Sequence, residues 1–381
     1  MSRIDDLLAQ YCPDGVEYRQ LDYVADIKNG SDYKHLSEGS IPVYGSGGVM
    51  DVRVSSFAYD KPTVLLPRKG SITNVFYVDE PFWNIDTVFY TIIDTNKIIP
   101  RYFYHVMLNA RIEKYSTGSA ARPSLTQTAL KKIKIPVPPL QVQEEIVRIL
   151  DSFTQLEAEL EAELEARRKQ YEYYRDSLLD INNPHNPLAD MLTQYCPDGV
   201  EYKLLGNVLI NFDSKRKPVT KKDRREGIFP YYGANGIQDY VDDYIFDGTY
   251  LLIGEDGSVI KEDKTPVINW ASGKIWVNNH AHVLQCSSED ALLRYVYFYL
   301  QAVDITKYIT GGTQPKLNQK NLNKIPIAVP ALQVQERIVE ILDKFDALVN
   351  DLSSGLPAEI QARRQQYEHY RDQLLSFSAA K

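Results

Sequence analysis

A chain of 381 residues, 44% hydrophobic and 25% charged, has room for two ordinary domains plus long helices, and its balance excludes a disordered polypeptide. Its net charge of -8 and isoelectric point near 5.4 exclude coating nucleic acid by bulk charge while leaving room for a local basic face. No run of about 18 apolar residues occurs, the start MSRIDDLLAQYCPDG lacks the basic-then-apolar order of a secretory signal, and Cys12, Cys196 and Cys286 make no disulfide framework, so a reduced, cytoplasmic protein is expected.

Internal repetition decides the architecture. YCPDGVEY at Tyr11 to Tyr18 recurs unchanged at Tyr195 to Tyr202, in each case after a short amphipathic turn of helix and around a Pro-Asp-Gly turn. The repeat then loosens: IPVYGSGGVMD from Ile41 is answered by FPYYGANGIQD from Phe229, and TVLLPRKGSI from Thr63 by TYLLIGEDGSV from Thr249. Alternating apolar and aromatic runs broken by Gly, Pro, Asn and Asp predict short strands and turns here. YSTGSAARPSLTQTAL from Tyr115 matches YITGGTQPKLNQKNL from Tyr308, and Pro-rich IKIPVPPLQ and IPIAVPALQ each set a helix start.

The helix that follows, Leu140 to Leu179, carries apolar residues at Ile146, Ile149, Phe153, Leu156, Leu160, Leu164, Tyr171, Tyr174 and Leu178, a narrow seam that needs a partner. The second copy, Leu332 to Leu375, repeats the rhythm at Ile338, Ile341, Phe345, Leu348, Leu352, Ile360, Tyr367, Tyr370 and Leu374. An antiparallel pair, each helix about 60 Å long at roughly 1.5 Å per residue, is the economical solution. The expected class is α+β, with two globular mixed α/β domains in pseudo-two-fold arrangement, separated by an antiparallel coiled coil. The segments are 1–139 and 181–331 for the globules, and 140–180 and 332–378 for the helices. Four extra residues in the second helix, with Gly355 and Pro357 among them, predict a seam that survives as a stutter and a kink or break near Ser353 to Ala358; a solvated irregularity is the other reading.

Lys215, Arg216, Lys217, Lys221, Lys222, Arg224 and Arg225 form the most basic cluster, open to two readings, a phosphate-contacting surface or a solvated loop. Two matched glycine turns, Pro67-Arg68-Lys69-Gly70-Ser71 and Gly254-Glu255-Asp256-Gly257-Ser258, keep their form and differ in charge, as reading loops or plain hairpin turns would. A third pair, Gly118 to Pro123 and Gly311 to Lys316, offers small, polar and basic groups suited to a phosphate or base edge, or is again a structural turn. No catalytic constellation emerges. Asn183-Pro184-His185 lacks the rest of an adenine methyltransferase motif, His280, His282 and Cys286 lack a second ligand pair for zinc, and Asp247, Glu262 and Lys264 have no equivalent in the first globule, so no metal or cofactor site is expected.

The doubled IPVPPLQVQEEIVRILD and IPIAVPALQVQERIVEILD, each after TGS…R…L or TGG…K…L and before ARRKQYEYYRDSLL or ARRQQYEHYRDQLL, give the chain a resemblance over essentially its whole length. It resembles the specificity (S) subunit of type I restriction-modification systems. The resemblance implies two target-recognition domains that each read one half of a split, asymmetric DNA target, with the helices as spacer. As partners it implies double-stranded DNA, two methyltransferase (M) subunits that carry S-adenosylmethionine and methylate adenine, and restriction (R) subunits for cleavage; the chain itself is expected to be non-catalytic. On loop position and chemistry the DNA-contacting candidates are Lys34, Tyr44, Arg68, Lys69, Ser71, Arg122, Lys215, Arg216, Lys217, Tyr232, Ser258, Gln314 and Lys316, while Arg167, Arg168, Arg363 and Arg364 are candidates for holding M subunits. A stand-alone DNA methyltransferase or nuclease and a coiled-coil scaffold without DNA are the rival readings.

Overall fold

The computed structural model describes residues 3–117, 123–287 and 289–380. Its framework helices are α1 (Pro100–Asn109), α2 (Leu140–Leu179), α3 (Leu293–Leu300), α4 (Leu332–Asn350) and α5 (Leu356–Leu374). The chain divides into two compact units, residues 1–161 with 359–381, and residues 162–358. Both boundaries cut through the long helices, so each unit is a globule plus a segment from each of the two helix copies.

In the first unit, an antiparallel sheet runs Ala25–Asn29, Val88–Ile93, Thr63–Pro67, Phe76–Val78, beside a three-stranded one in the order Gly48–Val54, Glu38–Gly45, Trp83–Asn84. In the second, the order is Leu209–Asn211, Ala281–Cys286, Phe246–Gly254, Ile268–Val277, Glu226–Gly233, Gly236–Val241. The Thr63–Pro67 strand is buried throughout, as is the Tyr250–Gly254 end of Phe246–Gly254, where the apolar runs VLL and YLLI lie. Each also has a two-stranded ribbon that brings the Pro-rich segment back to the globule's start, Tyr18–Gln20 with Lys134–Pro136 and Glu201–Leu204 with Pro326–Val329.

Where globule meets helix, the two units use the same parts. Gln143, fully buried, takes the Ile99 N–H at 2.8 Å and donates to the Lys97 and Pro138 carbonyls at 3.0 and 2.7 Å. Gln335, equally buried, takes the Leu292 N–H at 2.9 Å and donates to Asp290 and Pro330 at 2.8 and 2.7 Å. One amide thus holds the first turn of α1 or α3 against the first turn of the long helix, with all three of its strongest contacts made inside protein. Below it Val142, Ile146 and Leu150, or Val334, Ile338 and Leu342, are fully buried. Arg101 closes the first junction, its Nε 2.9 Å from Asp151 and its guanidinium 4.8 Å from the Tyr77 ring. Arg294 does so in the second, 2.6 Å from Asp343 and 5.0 Å from the Trp270 ring.

Helix pairing also recurs. Phe153 of α2 stacks on Tyr370 of α5, centroids 5.3 Å apart, and Arg364 Nε lies 2.5 Å from Glu157 while its Nη2 reaches Glu161. Numbers rise along α2 as they fall along α5, so this pair is antiparallel. In the second unit Phe345 stacks on Tyr174, again at 5.3 Å. These are the same two sequence positions with the helix copies exchanged. Arg364, its side chain 55% exposed, thus ties the two helices together within this unit.

The break in the second helix is real and starts earlier than its glycine and proline. Helix α4 stops at Asn350 and α5 begins at Leu356. Asp351 ends it: its carboxylate accepts the Ser353 N–H at 2.7 Å and the Ser353 and Ser354 hydroxyls at 2.6 Å, which hold its pKa down to about 2. A Cβ on Gly355 would lie 2.5 Å from the Ala347 carbonyl oxygen, so the return can only be made by glycine. Leu352 is left 76% exposed, which corrects the expectation that the seam runs on through the insert.

Two outcomes follow from the junctions. Replacing Gln143 or Gln335 by Ala strands buried N–H and carbonyl groups and lowers stability by on the order of 3 kcal/mol; a loss under about 1 kcal/mol in chemical denaturation would show the amides to be dispensable. The second concerns His105, fully buried between Asp151 (2.8 Å) and the Tyr367 hydroxyl (3.0 Å), where burial drives its pKa below the usual 6.5 despite the carboxylate. The folded state then binds fewer protons than the unfolded chain, so this contribution is present above about pH 6.5 and is lost as pH falls toward the folded value. In the second unit Phe298 stands at the matching position, and His105→Phe is expected to flatten the fall in denaturation midpoint between about pH 7.5 and 5.5. An unchanged slope would place the acid sensitivity elsewhere.

Candidate nucleic-acid interface

In the first unit, the buried strand Thr63–Pro67 emerges into the turn Arg68–Ser71, reversed by Gly70 at φ 80°. Three other segments close on it. The Arg68 carbonyl accepts the Leu125 N–H at 2.8 Å and Lys69 bridges to Ser124, itself paired with Thr117. The Arg68 N–H donates to the Thr87 carbonyl at 2.8 Å, bringing in the turn after Trp83–Asn84. Ser46, in the hairpin turn, accepts from Asn74 Nδ2 at 3.1 Å. Trp83 then pins a fifth segment by donating from Nε1 to the Ser31 carbonyl at 2.9 Å.

The second unit builds the same cluster from different side chains. Phe246–Gly254 emerges into Glu255–Ser258, reversed by Gly257 at φ 77°. The Glu255 carbonyl accepts the Leu317 N–H at 2.9 Å, Asp256 bridges to Lys316, and Lys316 pairs with Thr310. The Glu255 N–H donates to the His280 carbonyl at 2.8 Å, and Trp276 Nε1 pins the basic loop through the Lys217 carbonyl at 2.7 Å.

Most of the sequence-derived candidates meet in these clusters. Lys69 and Ser71 are exposed on the glycine turn, and Arg68, half-buried, donates to the Asp86 carbonyl at 3.3 Å. Lys34 is exposed on the loop that Trp83 pins. Lys217 and Gln314 are exposed, Ser258 is half-buried in its turn, and Lys316 reaches Glu255 at 3.7 Å. Lys215 lays its ammonium 5.0 Å over the Phe212 ring. Arg122 lies outside the described residues.

Three candidates are committed to the fold. Tyr44 sits edge-on to Phe82 at 5.9 Å, and Tyr232 packs against the Phe246 and Tyr250 cluster; burial pushes both hydroxyls above their usual range. Arg216 turns inward, 11% exposed, to Glu255 at 2.8 Å and the Ala281 carbonyl at 2.7 Å. Its neighbour Arg224 is likewise held, stacked 4.0 Å over Tyr231. The basic loop's outward cations are Lys215, Lys217, Lys221, Lys222 and Arg225. On the helices Arg168 is exposed, whereas Arg167 and Arg363 are half-buried and bond along their own helices, to Glu163 at 3.2 Å and Glu359 at 3.3 Å.

Sequence reasoning missed a buried network beneath the second cluster. His282 stands between the Asp213 carboxylate at Nδ1 (2.5 Å) and the Leu317 carbonyl at Nε2 (2.7 Å). Burial works against charge on Asp213, but hydrogen bonds from His282 and the Val283 N–H prevail and hold its pKa below the usual range. Asp213, Glu255 and His282 bring ligand atoms within 4.8 Å of one another, a grouping of metal-binding type. Arg216 already supplies the cation, 3.4 Å from Asp213 and 2.8 Å from Glu255. The network fastens the basic loop and the loop before Leu317 to one strand. The repeated Trp83 and Trp276 mark the crossing turn that pins a loop in both clusters, while the network itself has no repeated signal in the sequence.

No helix among the described residues is long and apolar enough to cross a membrane. Residues 13–166 and 197–362 each match the family described as type I restriction modification DNA specificity domain. A Haemophilus influenzae protein named as a type I restriction enzyme specificity subunit is 42% identical, over 95% of this chain and 96% of its own. The Escherichia coli EcoR124I/EcoR124II specificity subunit is 34% identical, over 75% and 73%. Among solved structures, the type I restriction-modification S subunit from M. genitalium superposes with a TM-score of 0.64 over 95% of this chain and 96% of that one, at 18% identity. A chain solved for complex assembly and conformational transition of the type I R-M system gives 0.54 over 95% and 98%, at 16% identity. With two matching domains spanning most of its length, this chain is a member of the type I restriction-modification specificity subunit family.

Proposed function

We propose that the two clusters are two independent readers of one duplex, each globule recognising one half of a bipartite, asymmetric DNA target, with the paired helices fixing the gap between halves. The observation that carries this reading is the contrast within one chain: the backbone contacts that assemble the cluster are repeated, while the side chains displayed on them differ. A surface kept in shape and varied in charge reads different sequences from the same frame. Lys215, Lys217, Lys221, Lys222 and Arg225 supply the sequence-independent part by meeting phosphates.

The chain acts without catalysing. Two M subunits, holding S-adenosylmethionine, methylate adenine within the target, and R subunits join for cleavage. The duplicated helix surfaces give two similar partners two similar docking sites; Arg167, Arg168 and Arg363 are the candidates there, and Arg364 serves the helix pair. The relatives named as type I restriction enzyme subunits support this assembly.

Methyladenine mapped across the genome of cells with and without this chain tests the function. One split motif is expected to vanish on deletion; an unchanged methylome would overturn the proposal. For the phosphate role, replacing Lys215, Lys217 and Lys222 by Ala in the assembled complex is expected to lower the slope of log K against log salt by about 2 to 3 and weaken all sequences alike. A slope that stays where it was would return the basic loop to solvent.

A further inference from the structure

Lys69 and Asp86 form an ion pair at 3.4 Å between the glycine turn and the crossing turn of the first unit, both about half exposed. In the second unit the same two turns are joined by Asp256 and His280, with Asp256 Oδ1 against His280 Nδ1. The side chains are again open to solvent, His280 50% and Asp256 32%. The glycine turn carries the donor in one unit and the acceptor in the other. The crossing turn carries the complement each time.

Backbone equivalence makes the reversal meaningful. Arg68 N–H to Thr87 O and Glu255 N–H to His280 O are the same bond, both 2.8 Å, so the two pairs join the same two turns of one frame, Lys69 and Asp256 at one position and His280 one residue beyond the place of Asp86. A fold-stabilising bridge has no need of reversed polarity. Exposed pairs of this kind contribute little to stability. What the reversal does change is the order of donor and acceptor shown to a ligand. The flanking charges follow it: Arg68 stands beside Lys69, and Glu255 beside Asp256 with Lys316 3.9 Å from the Asp256 carboxylate.

In the major groove a G·C pair offers acceptors on guanine (N7, O6) and a donor on cytosine (N4), so a cation-and-carboxylate couple matches it in one orientation only. We propose that Lys69 with Asp86, and Asp256 with His280, are specificity-determining pairs that each read a G·C base pair, in opposite orientations within the frames of their own globules. The inference rests on the DNA-reading role proposed above. Lys69 addresses guanine and Asp86 the cytosine amine; in the second globule His280 takes the guanine side as the imidazolium, Nδ1–H on Asp256 and Nε2–H toward guanine, and Asp256 the cytosine amine.

The test selects preferred targets from a randomised duplex pool with the full chain assembled with its M subunits. Exchanging polarity in the first unit (Lys69→Asp with Asp86→Lys) is expected to invert one base pair, G·C to C·G, in one half-site. A change in preference of roughly 10-fold or more is expected, with the other half and the gap unchanged. Asp256→Lys with His280→Asp does the same in the opposite half. Lys69→Gln and Asp256→Asn, mild changes at exposed positions, flatten preference at those same base pairs and cover the case where a double exchange does not fold. Folded variants that keep the wild-type motif, or that weaken every position equally, overturn the assignment. A wild-type complex that enriches no motif sinks instead the DNA-reading role beneath it.

Discussion

One buried amide per globule, Gln143 or Gln335, sets the constraint on which the rest depends. Each satisfies a backbone donor and a carbonyl just before α1 or α3 and one carbonyl just before the long helix. A buried amide with its partners in place is strongly directional, because any small shift strands polar groups without water. The helix direction is therefore fixed relative to its own globule. Arg101 and Arg294 add a second, partly exposed fastening between aromatic rings and aspartates. Both devices lie in the part of the repeat that stays alike, because a change at either alters geometry before it alters anything else.

The loop cluster of each globule is assembled from backbone rather than side-chain contacts. The glycine turn, crossing turn and the loop before Ser124 or Lys316 are held by main-chain bonds that do not depend on which residue is displayed. Side chains on these turns are thereby released from structural duty, and Lys69 can stand where Asp256 stands without moving the loop. The exception is informative. Arg216 is drawn out of the basic loop into the Asp213, Glu255 and His282 network, so the second globule needs side chains to hold a longer loop that the first does not have.

Much of this was legible in the sequence because repetition exposes constraint. The helix copies, strand-and-turn character and the three matched loop pairs all came from aligning the chain with itself, and within each globule the described parts of those loops meet. What was not legible was the inward or outward sense of single residues. Arg216 and Lys217 are adjacent and chemically alike, yet only the fold shows that one is buried against Glu255 while the other is exposed. Tyr44 and Tyr232 show the same limit: the sequence does not reveal that each is half-buried against other aromatics of its globule. Arg101 and Arg294 were overlooked because the repeat reading followed identical runs, and PRYFYHV and LRYVYFY share only spaced positions.

The long helices show how an internal repeat drifts without losing its pairing. Phe153 on Tyr370 and Phe345 on Tyr174 are one contact made twice, although four residues have entered the second helix copy between Phe345 and Tyr370. Those residues are accommodated by ending α4 at Asn350 and restarting at Leu356, instead of overwinding one helix. Overwinding would rotate the seam and pull Tyr367, Tyr370 and Leu374 off their partners. A break with Asp351 as stop and Gly355 as the only residue that fits the return lets each flanking segment keep its own register. The expense falls on Leu352, exposed where a seam residue was expected. Pairing within each unit was thus kept at the loss of continuity between α4 and α5, so local packing of each helix segment on its own globule outranked an unbroken helix.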